Sequence, residues 1–292
     1  MSFSILTDSS CNLPESLIDE HHLGVAPLEF SVEGKIYYSY LKGSITNLKQ
    51  FYDMMRSGKV ITTSLASLKE VDALSRERFT AGQDILYLGF DSALSGTYEN
   101  TTVYLNKVRD EDFPQRQLRC VDTLAAALGE GLFVLEAVKQ RDAGKSLDEV
   151  ADWALAQRLN FAHWFTVDDL HYLQRGGRLS KGAALAGSVL NIKPVLHVDD
   201  EGYLVPVEKV RGRKKSLLAL ADKFVTTARD PKDNQLVCIS HADCLDDAHF
   251  IRDQISERCG VSDFLINYLD PVIGAHAGPG TVALFFITNQ QR

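Results

Sequence analysis

The sequence predicts an α/β protein with two α/β domains. The first would have a mainly parallel sheet covered by helices on both faces, and the second a mixed sheet. Three observations support this. The chain has 292 residues, which is longer than the length that a single hydrophobic core usually supports. Strand-like and helical segments alternate throughout the first half, as in parallel sheets. The second half adds a β-hairpin pattern. We place the boundary near residue 160, giving domains 1–160 and 161–292.

The first half alternates strands and helices in order. Pro14 suits a first helical turn, and Gly34 lies between two β-rich runs that predict a hairpin. Ser67 with Glu70, and Ser146 with Glu149, have the spacing of capping boxes. The strand patterns are FSILTDSS, VAPLEFSVEG, KIYYSY, DILYLGF and QLRCVD. The helical patterns are LPESLIDEHH, SITNLKQFYDMMRSG, SLKEVDALSRERF, YENTTVYLNKV, an Ala/Leu-rich segment from Thr123, and SLDEVADWALAQRL.

The helix predicted over SITNLKQFYDMMRSG has one apolar face, and Gly58 would end it. That face comprises Leu48, Phe51, Met54 and Met55.

The second half starts with the strand FAHWFTV, followed by a short helix in DDLHYLQRGGRLS and a small-residue helix, GAALAGSVLNI. KPVLHVDDEGYLVPVEKV predicts a hairpin that turns over 199–202. Helices are expected from about Arg213 and Leu245. The remaining strand patterns are QLVCIS, FLINYL and TVALFFI, the last preceded by a predicted loop, PVIGAHAGPG.

Bulk composition limits the function classes. Apolar residues make up 45% and charged residues 24%, as in ordinary globular proteins. A net charge of −8 argues against sequence-independent nucleic-acid binding. The N-terminus has no signal-peptide pattern, and no apolar run reaches the ~20 residues that span a bilayer. The five cysteines form no CxxC pair, so we expect reduced thiols in a cytoplasmic protein, without a metal site.

Three hydroxyl-rich segments, TDSS (7–10), TTSLAS (62–67) and DSALSGT (91–97), are predicted as loops at the carboxyl edge of the sheet, where ligands bind. Ser95 and Thr97 bracket Gly96 just before a helix, whose free N–H groups suit a small anion. Alternatively, either hydroxyl merely caps the helix. These loops carry no lysine, no GxxxxGK[ST] and no GxGxxG, so a carboxylate suits them better than a triphosphate.

Basic residues mark two further candidates. Arg178 follows Gly176 and Gly177, which predict a helix end. The segment VRGRKKS (210–216) holds a dense basic cluster, and three of its cations begin a helix, against the macrodipole. An anionic partner would offset that cost. The alternatives are an exposed arginine after a plain helix end and a solvated basic face.

His276 is a lone titratable ring among small residues. The glycines of PVIGAHAGPG permit close backbone approach and positive φ. Imidazole can donate, accept or carry a proton near neutral pH. His276 is therefore a hydrogen-bonded surface residue, a polar ligand for a bound group, or a base paired with a Ser95 nucleophile.

Taken together, the motifs resemble the DegV family over nearly the whole chain. They are ILTDSSCNLP, TTSLAS, SALSGTYENT, LHYLQRGGRLS, NIKPVL with DDEGYLVPVEKVRGRKKSL, and GAHAGPGTVALFF. The resemblance implies a two-domain protein holding one long-chain fatty acid, with the acyl chain in an apolar tunnel mainly in the second domain and the carboxylate at the domain interface. Characterised members serve a bacterial fatty acid kinase as its non-catalytic binding subunit. A separate ATP-binding kinase makes the acyl phosphate for phospholipid synthesis.

The functional positions of the family can be matched one by one to residues of this sequence. The resemblance implies carboxylate ligands at Thr63, Ser64, Ser95, the Gly96 backbone and His276. It also implies that Arg178 and Arg211 contact the kinase or its phosphates. It implies no cofactor beyond the fatty acid, and it is compatible with transient membrane contact. Leu65 and Ala66 depart from the family's usual Gln-Pro, which puts the conformation of that segment in question.

Two other functions stay open. One is a Ser-His esterase or hydrolase that uses Ser95 and His276, although the chain has no GxSxG elbow. The other is a binding module for a small anion at the same helix N-termini.

Overall fold

The computed structural model describes residues 3–40, 42, 47–179, 192–230, 235–289 and 291. The small-residue helix predicted over 182–192 lies outside them apart from Ile192, which begins a strand. The described strands are Phe3–Asp8 (β1), Gly24–Ala26 (β2), Leu28–Val32 (β3), Lys35–Tyr38 (β4), Ile61–Ala66 (β5), Asp84–Gly89 (β6), Leu118–Asp122 (β7), Phe161–Thr166 (β8), Ile192–Val198 (β9), Leu204–Arg211 (β10), Val237–His241 (β11), Phe264–Tyr268 (β12) and Val282–Ile287 (β13).

The helices are Glu15–Glu20 (α1), Leu48–Arg56 (α2), Leu68–Thr80 (α3), Thr97–Asp112 (α4), Ala127–Asp142 (α5), Leu147–Gln157 (α6), His171–Arg175 (α7), Arg213–Thr227 (α8), Leu245–Cys259 (α9) and Pro271–Ala277 (α10). Two single 3-10 turns, Ser9–Cys11 and Arg158–Asn160, complete the described elements.

The predicted α/β fold class is confirmed. Four strands of the first half form a wholly parallel sheet in the order β2-β1-β6-β7. Its central strands β1 and β6 are buried along almost their whole length, as expected where helices cover a parallel sheet. Helices α3, α4 and α6 pack against this sheet.

The second sheet is mixed, also as predicted. Its order is β10-β9-β8-β13-β11-β12, with β11 and β12 parallel and the other neighbours antiparallel. The predicted hairpin is β9–β10, and its turn contains Gly202 at a φ of 91°. All six strands follow residue 160, but α5 comes before that position and packs on β8, β11 and β13. The buried core is therefore continuous across the predicted domain boundary.

The segment TTSLAS was wrongly predicted as a loop, because it forms β5. The predicted hairpin β3–β4 exists, and β5 pairs antiparallel with β3 on its other side. Phe30 lies opposite Thr63, and the hydroxyls of Ser31 and Thr62 are 2.7 Å apart. β-Branched residues at 61–63 suit a strand, but only the partner strand makes one.

The stretch PVIGAHAGPG was also wrongly predicted as a loop throughout, since residues 271–277 form α10. The Asp270 carboxylate caps this helix by accepting from the N–H groups of Val272 (2.7 Å) and Ile273 (3.3 Å). Pro271 occupies the first turn, where its missing N–H costs nothing. The helix ends at Gly278, whose φ is 86°.

Of the two predicted capping boxes, one is confirmed and one is wrong. Ser146 and Glu149 form the expected box, whereas Ser67 makes no side-chain cap, so that prediction was wrong. The helix expected from Thr123 begins later, at Ala127. The Thr123 hydroxyl instead donates to the Gly89 carbonyl and accepts from the Ala125 N–H, which holds the chain in a turn.

Helix α2 has the predicted buried face. Phe51 and Met55 are buried, and Leu48 and Met54 are half-buried. Gly58 follows the helix with a φ of 84°, as expected for a helix-ending glycine.

Candidate ligand-binding site

A cavity of about 350 Å³ lies between the first-half segments that carry the hydroxyls and one face of the six-stranded sheet. Most of its lining is apolar, including Phe90, Phe165, Val198, Leu204 and Phe285. Its polar lining residues include Thr63, Ser64, Ser95, Arg178 and His276. Four of the five predicted carboxylate ligands therefore line one cavity. The fifth, Gly96, is exposed beside Leu65, at the rim.

His276 meets Thr63 across the two halves of the chain. Its Nε2 lies 2.9 Å from the Thr63 Oγ1. On its other edge, Nδ1 lies against Gly176, where a Cβ would overlap the ring. The ring is therefore fixed by β5 on one side and by the turn after α7 on the other.

The electrostatics keep this ring neutral. Burial, and to a smaller extent the nearby charges of Arg178 and Arg175, lowers the pKa of His276 to about 4. At neutral pH the imidazole thus carries one N–H and no charge. It can supply a hydrogen bond to a ligand, but it does not supply the positive charge.

Ser95 lies in the loop before α4. Its hydroxyl donates to the Thr97 Oγ1 over 2.9 Å and accepts from the Thr97 N–H over 3.2 Å. The alternative that a hydroxyl here merely caps the helix is thus partly right, since Ser95 accepts from a free N–H group at the helix start. Ser95 also lines the cavity. His276 bonds to Thr63 and not to Ser95, so the nucleophile–base pair of a hydrolase is not formed.

Arg178 also contributes to the cavity wall. It is half-buried, its Nε donates to the Leu94 carbonyl over 3.1 Å, and its Nη1 donates to the Gly176 carbonyl. These bonds join the turn after α7 to the loop that carries Ser95. Gly177, just after the helix, has a positive φ of 69°, which fits the predicted helix end. Arg211, by contrast, is exposed at the end of β10 and lies outside the cavity lining.

Comparison with known proteins identifies the family. A family model described as "Uncharacterised protein, DegV family" matches residues 2–289. A DegV domain-containing protein of Clostridium perfringens is 39% identical over 286 residues, covering 98% of this chain and 97% of the relative. The chain belongs to the DegV family.

Solved structures of the family share the fold. A DegV family protein from Thermus thermophilus, described by its fatty acid binding, is 29% identical with a TM-score of 0.85, over 99% of this chain and 100% of the other. A fatty acid binding DegV family protein from Streptococcus agalactiae is 29% identical with a TM-score of 0.84 over the same shares. DegV of Bacillus subtilis, described as a fatty acid binding protein, is 26% identical with a TM-score of 0.84, again over 99% and 100%.

The sequence pattern did not predict which individual residues form the wall of the cavity. His163 and Phe165 on β8, with Ala283 and Phe285 on β13, face it as cross-strand pairs. Alternation in FAHWFTV and TVALFFI was the available signal, since every second residue of a strand shares a face. His163 is 2% exposed, and its Nδ1 lies 2.8 Å from the Phe161 carbonyl.

The hydroxyls of TDSS, the third predicted candidate segment, are absent from the cavity lining and belong to a buried network. Thr7 donates to Glu130 Oε1 over 2.9 Å, and Ser10 Oγ contacts both Asp8 Oδ1 (2.6 Å) and Glu130 Oε2. One hydroxyl proton cannot serve two carboxylates, so one carboxyl is protonated. Burial raises the pKa of Asp8, and burial together with the charge of Asp8 raises the pKa of Glu130 well above its ordinary value, so we assign the proton to Glu130.

Among the described residues, no group of three or more His, Cys, Asp or Glu side chains is arranged to hold a metal ion. No described helix is long and apolar enough to cross a membrane.

Proposed function

We propose that this protein binds one long-chain fatty acid and presents its carboxylate to a separate fatty acid kinase. The observation that carries the proposal is one cavity whose lining is mostly apolar and whose polar lining residues include Thr63, Ser95 and His276. The family relatives named for fatty acid binding support the same ligand.

The apolar wall would provide most of the affinity. Burial of a methylene contributes about 0.8 kcal/mol, so about fifteen methylenes contribute a gross ~12 kcal/mol before ordering costs. The hydroxyls of Thr63, Ser64 and Ser95, with the Gly96 N–H, then fix the orientation of the carboxylate. A small anion without a tail would gain nothing from the apolar wall, which disfavours the small-anion module.

Presentation to a second protein is supported by the surface position of the polar group. Ser64 and Gly96 are exposed, and Leu65, at the rim, is 39% exposed. A carboxylate held beside them lies within reach of a kinase that brings its own ATP, consistent with the missing nucleotide motifs. Arg211, Lys214 and Lys215 are exposed and would contact that partner, whereas Arg213 is half-buried and paired with Asp247.

Mass spectrometry of solvent extracts from the purified protein tests the ligand. We expect about one long-chain fatty acid per chain. No bound lipid, combined with labelling of Ser95 by a fluorophosphonate probe, would favour the hydrolase instead.

Acyl phosphate trapping with hydroxylamine, in the presence of ATP and the kinase, tests presentation. Ser95→Ala and His276→Ala should slow hydroxamate formation more than they reduce bound lipid. Ser92→Ala, an exposed hydroxyl in the same loop, is the matched control. Equal loss of lipid and of hydroxamate in both variants would contradict the assigned roles.

A further inference from the structure

Asn12 holds the start of α10 from the other half of the chain. Its Nδ2 donates to Asp270 Oδ2 over 2.7 Å, and its Oδ1 accepts from the Asp270 N–H over 3.3 Å. The other carboxylate oxygen, Asp270 Oδ1, caps α10. One amide side chain thus fixes both the backbone and the carboxylate of the capping residue.

Asn12 is itself rigidly placed. It is 7% exposed and adopts a left-handed conformation with a φ of 54°, which Asn tolerates better than most residues. Its Nδ2 also lies 2.9 Å from the Ser10 carbonyl, and its own carbonyl accepts from Asn267 Nδ2 over 2.7 Å. The 3-10 turn of the first half, the end of β12 and the start of α10 therefore meet at this residue.

The position of His276 depends on where α10 starts. His276 lies six residues after Asp270, roughly 9 Å along the helix axis. A short rigid helix transmits a shift of its first turn to its last turn. The His276–Thr63 contact is 2.9 Å, and a hydrogen bond weakens steeply when a shift of one partner bends it below about 120°.

We propose that Asn12 and Asp270 are a positioning pair that sets His276 at the ligand head group, and that this pair makes the site select a free acid over an uncharged lipid of equal length. The inference rests on the proposed function. An alcohol with the same tail takes its affinity from the apolar wall alone, whereas a carboxylate also needs its donors correctly placed.

The ratio of two dissociation constants, for hexadecanoic acid and for 1-hexadecanol, measures this selection. Asn12→Gly removes the amide while keeping the positive φ available. It should lower the preference for the acid about tenfold, the effect of one charge-assisted hydrogen bond, with little change for the alcohol. Asn106→Ala removes a half-buried amide that bonds within α4, and it should leave the ratio unchanged.

A swapped pair guards against a simple folding defect. Asn12→Asp alone places two carboxyl groups against each other, while the double variant Asn12→Asp/Asp270→Asn restores one donor and one acceptor, and Asn still caps a helix. The double variant should regain part of the acid preference lost in Asn12→Asp.

The outcomes separate the two proposals. Equal weakening of acid and alcohol by Asn12→Gly, or no recovery in the swapped pair, would show a purely structural role and overturn the inference. Wild-type protein that binds both lipids equally would also overturn it while leaving lipid binding intact. Wild-type protein that binds neither lipid overturns the proposed function itself.

Discussion

Gly274 lies where α10 rests on the buried ring of Tyr52, so Gly274→Ala is a direct test of how this helix is seated. A Cβ at this position would overlap the Tyr52 hydroxyl and lie 3.0 Å from its Cζ. Tyr52 is fully buried, and its hydroxyl donates to the Leu269 carbonyl over 2.9 Å. The ring cannot move away without losing that bond.

The magnitude follows from three contributions. Overpacking a rigid core costs about 1–3 kcal/mol. Displacing the Tyr52 hydroxyl from its acceptor costs about another 1 kcal/mol. Ala is about 1 kcal/mol better than Gly within a helix, which opposes both. We therefore expect Gly274→Ala to lower the free energy of unfolding by about 2 kcal/mol.

A double-mutant cycle with Tyr52→Phe isolates the clash. Tyr52→Phe alone should cost about 1 kcal/mol for the lost hydrogen bond. In the double variant the hydroxyl is gone. Its loss of unfolding free energy should therefore be about 1–2 kcal/mol smaller than the sum of the losses in the two single variants. Rescue should be partial, because Cζ and Cε1 remain 3.0 and 3.1 Å from the added Cβ.

Urea unfolding of the four proteins provides the measurement, with hydroxamate trapping as the functional readout, since a displaced α10 misplaces His276. Gly96→Ala is the control for the unfolding measurement alone, because its Cβ would meet only Leu65 at 3.8 Å, whereas its N–H belongs to the proposed carboxylate site. Strictly additive losses, or a stable Gly274→Ala protein with full trapping, would refute the reasoning.

Further predictions concern protonation. The pKa of His276 is about 4 in the folded protein and has its ordinary value of 6.5 in the unfolded chain, so the unfolded chain takes up this proton first as the pH falls. The free energy of unfolding of wild type minus that of His276→Gln should thus fall as pH drops from 6.5 to 4, and a flat difference contradicts this. Loading with fatty acid should raise the His276 pKa in an NMR titration, because a carboxylate favours imidazolium; an unchanged value would argue against contact. Glu130→Gln should change the free energy of unfolding by under about 1 kcal/mol, since an amide can donate to Ser10 as a protonated carboxyl does. Asp8→Asn should cost more, about 2 kcal/mol, because Asp8 accepts from Ser10, Tyr87 and the Phe90 N–H; the opposite order in urea unfolding would refute the proton assignment.

Local signals in the sequence predicted much of the molecule. The alternation of strands and helices, the capping box at Ser146 and Glu149, the turn at Gly202 and the apolar face of α2 were all confirmed. Each depends on neighbours within a few residues, so the local pattern contains the needed information. The two-domain boundary near residue 160 stays a prediction.

The capping pattern at Ser67 shows the limit of such signals, because the same residue spacing produced no cap. The segment TTSLAS shows the same limit of local sequence signals. Its hydroxyls and small residues are typical of a loop, but pairing with β3 makes it a strand.

The sequence by itself determined the chemical kinds of group at the site: hydroxyls, one imidazole and a nearby arginine, without a nucleotide motif. Only the tertiary structure decided which of them meet. It directs Thr7 and Ser10 of TDSS to the buried Glu130, and Thr63 and Ser64 of TTSLAS to the cavity. It pairs His276 with Thr63 and not with Ser95. The physical reason is that a side chain's partner is set by which strands and helices pack together, and Thr63 lies 213 residues from His276 along the chain.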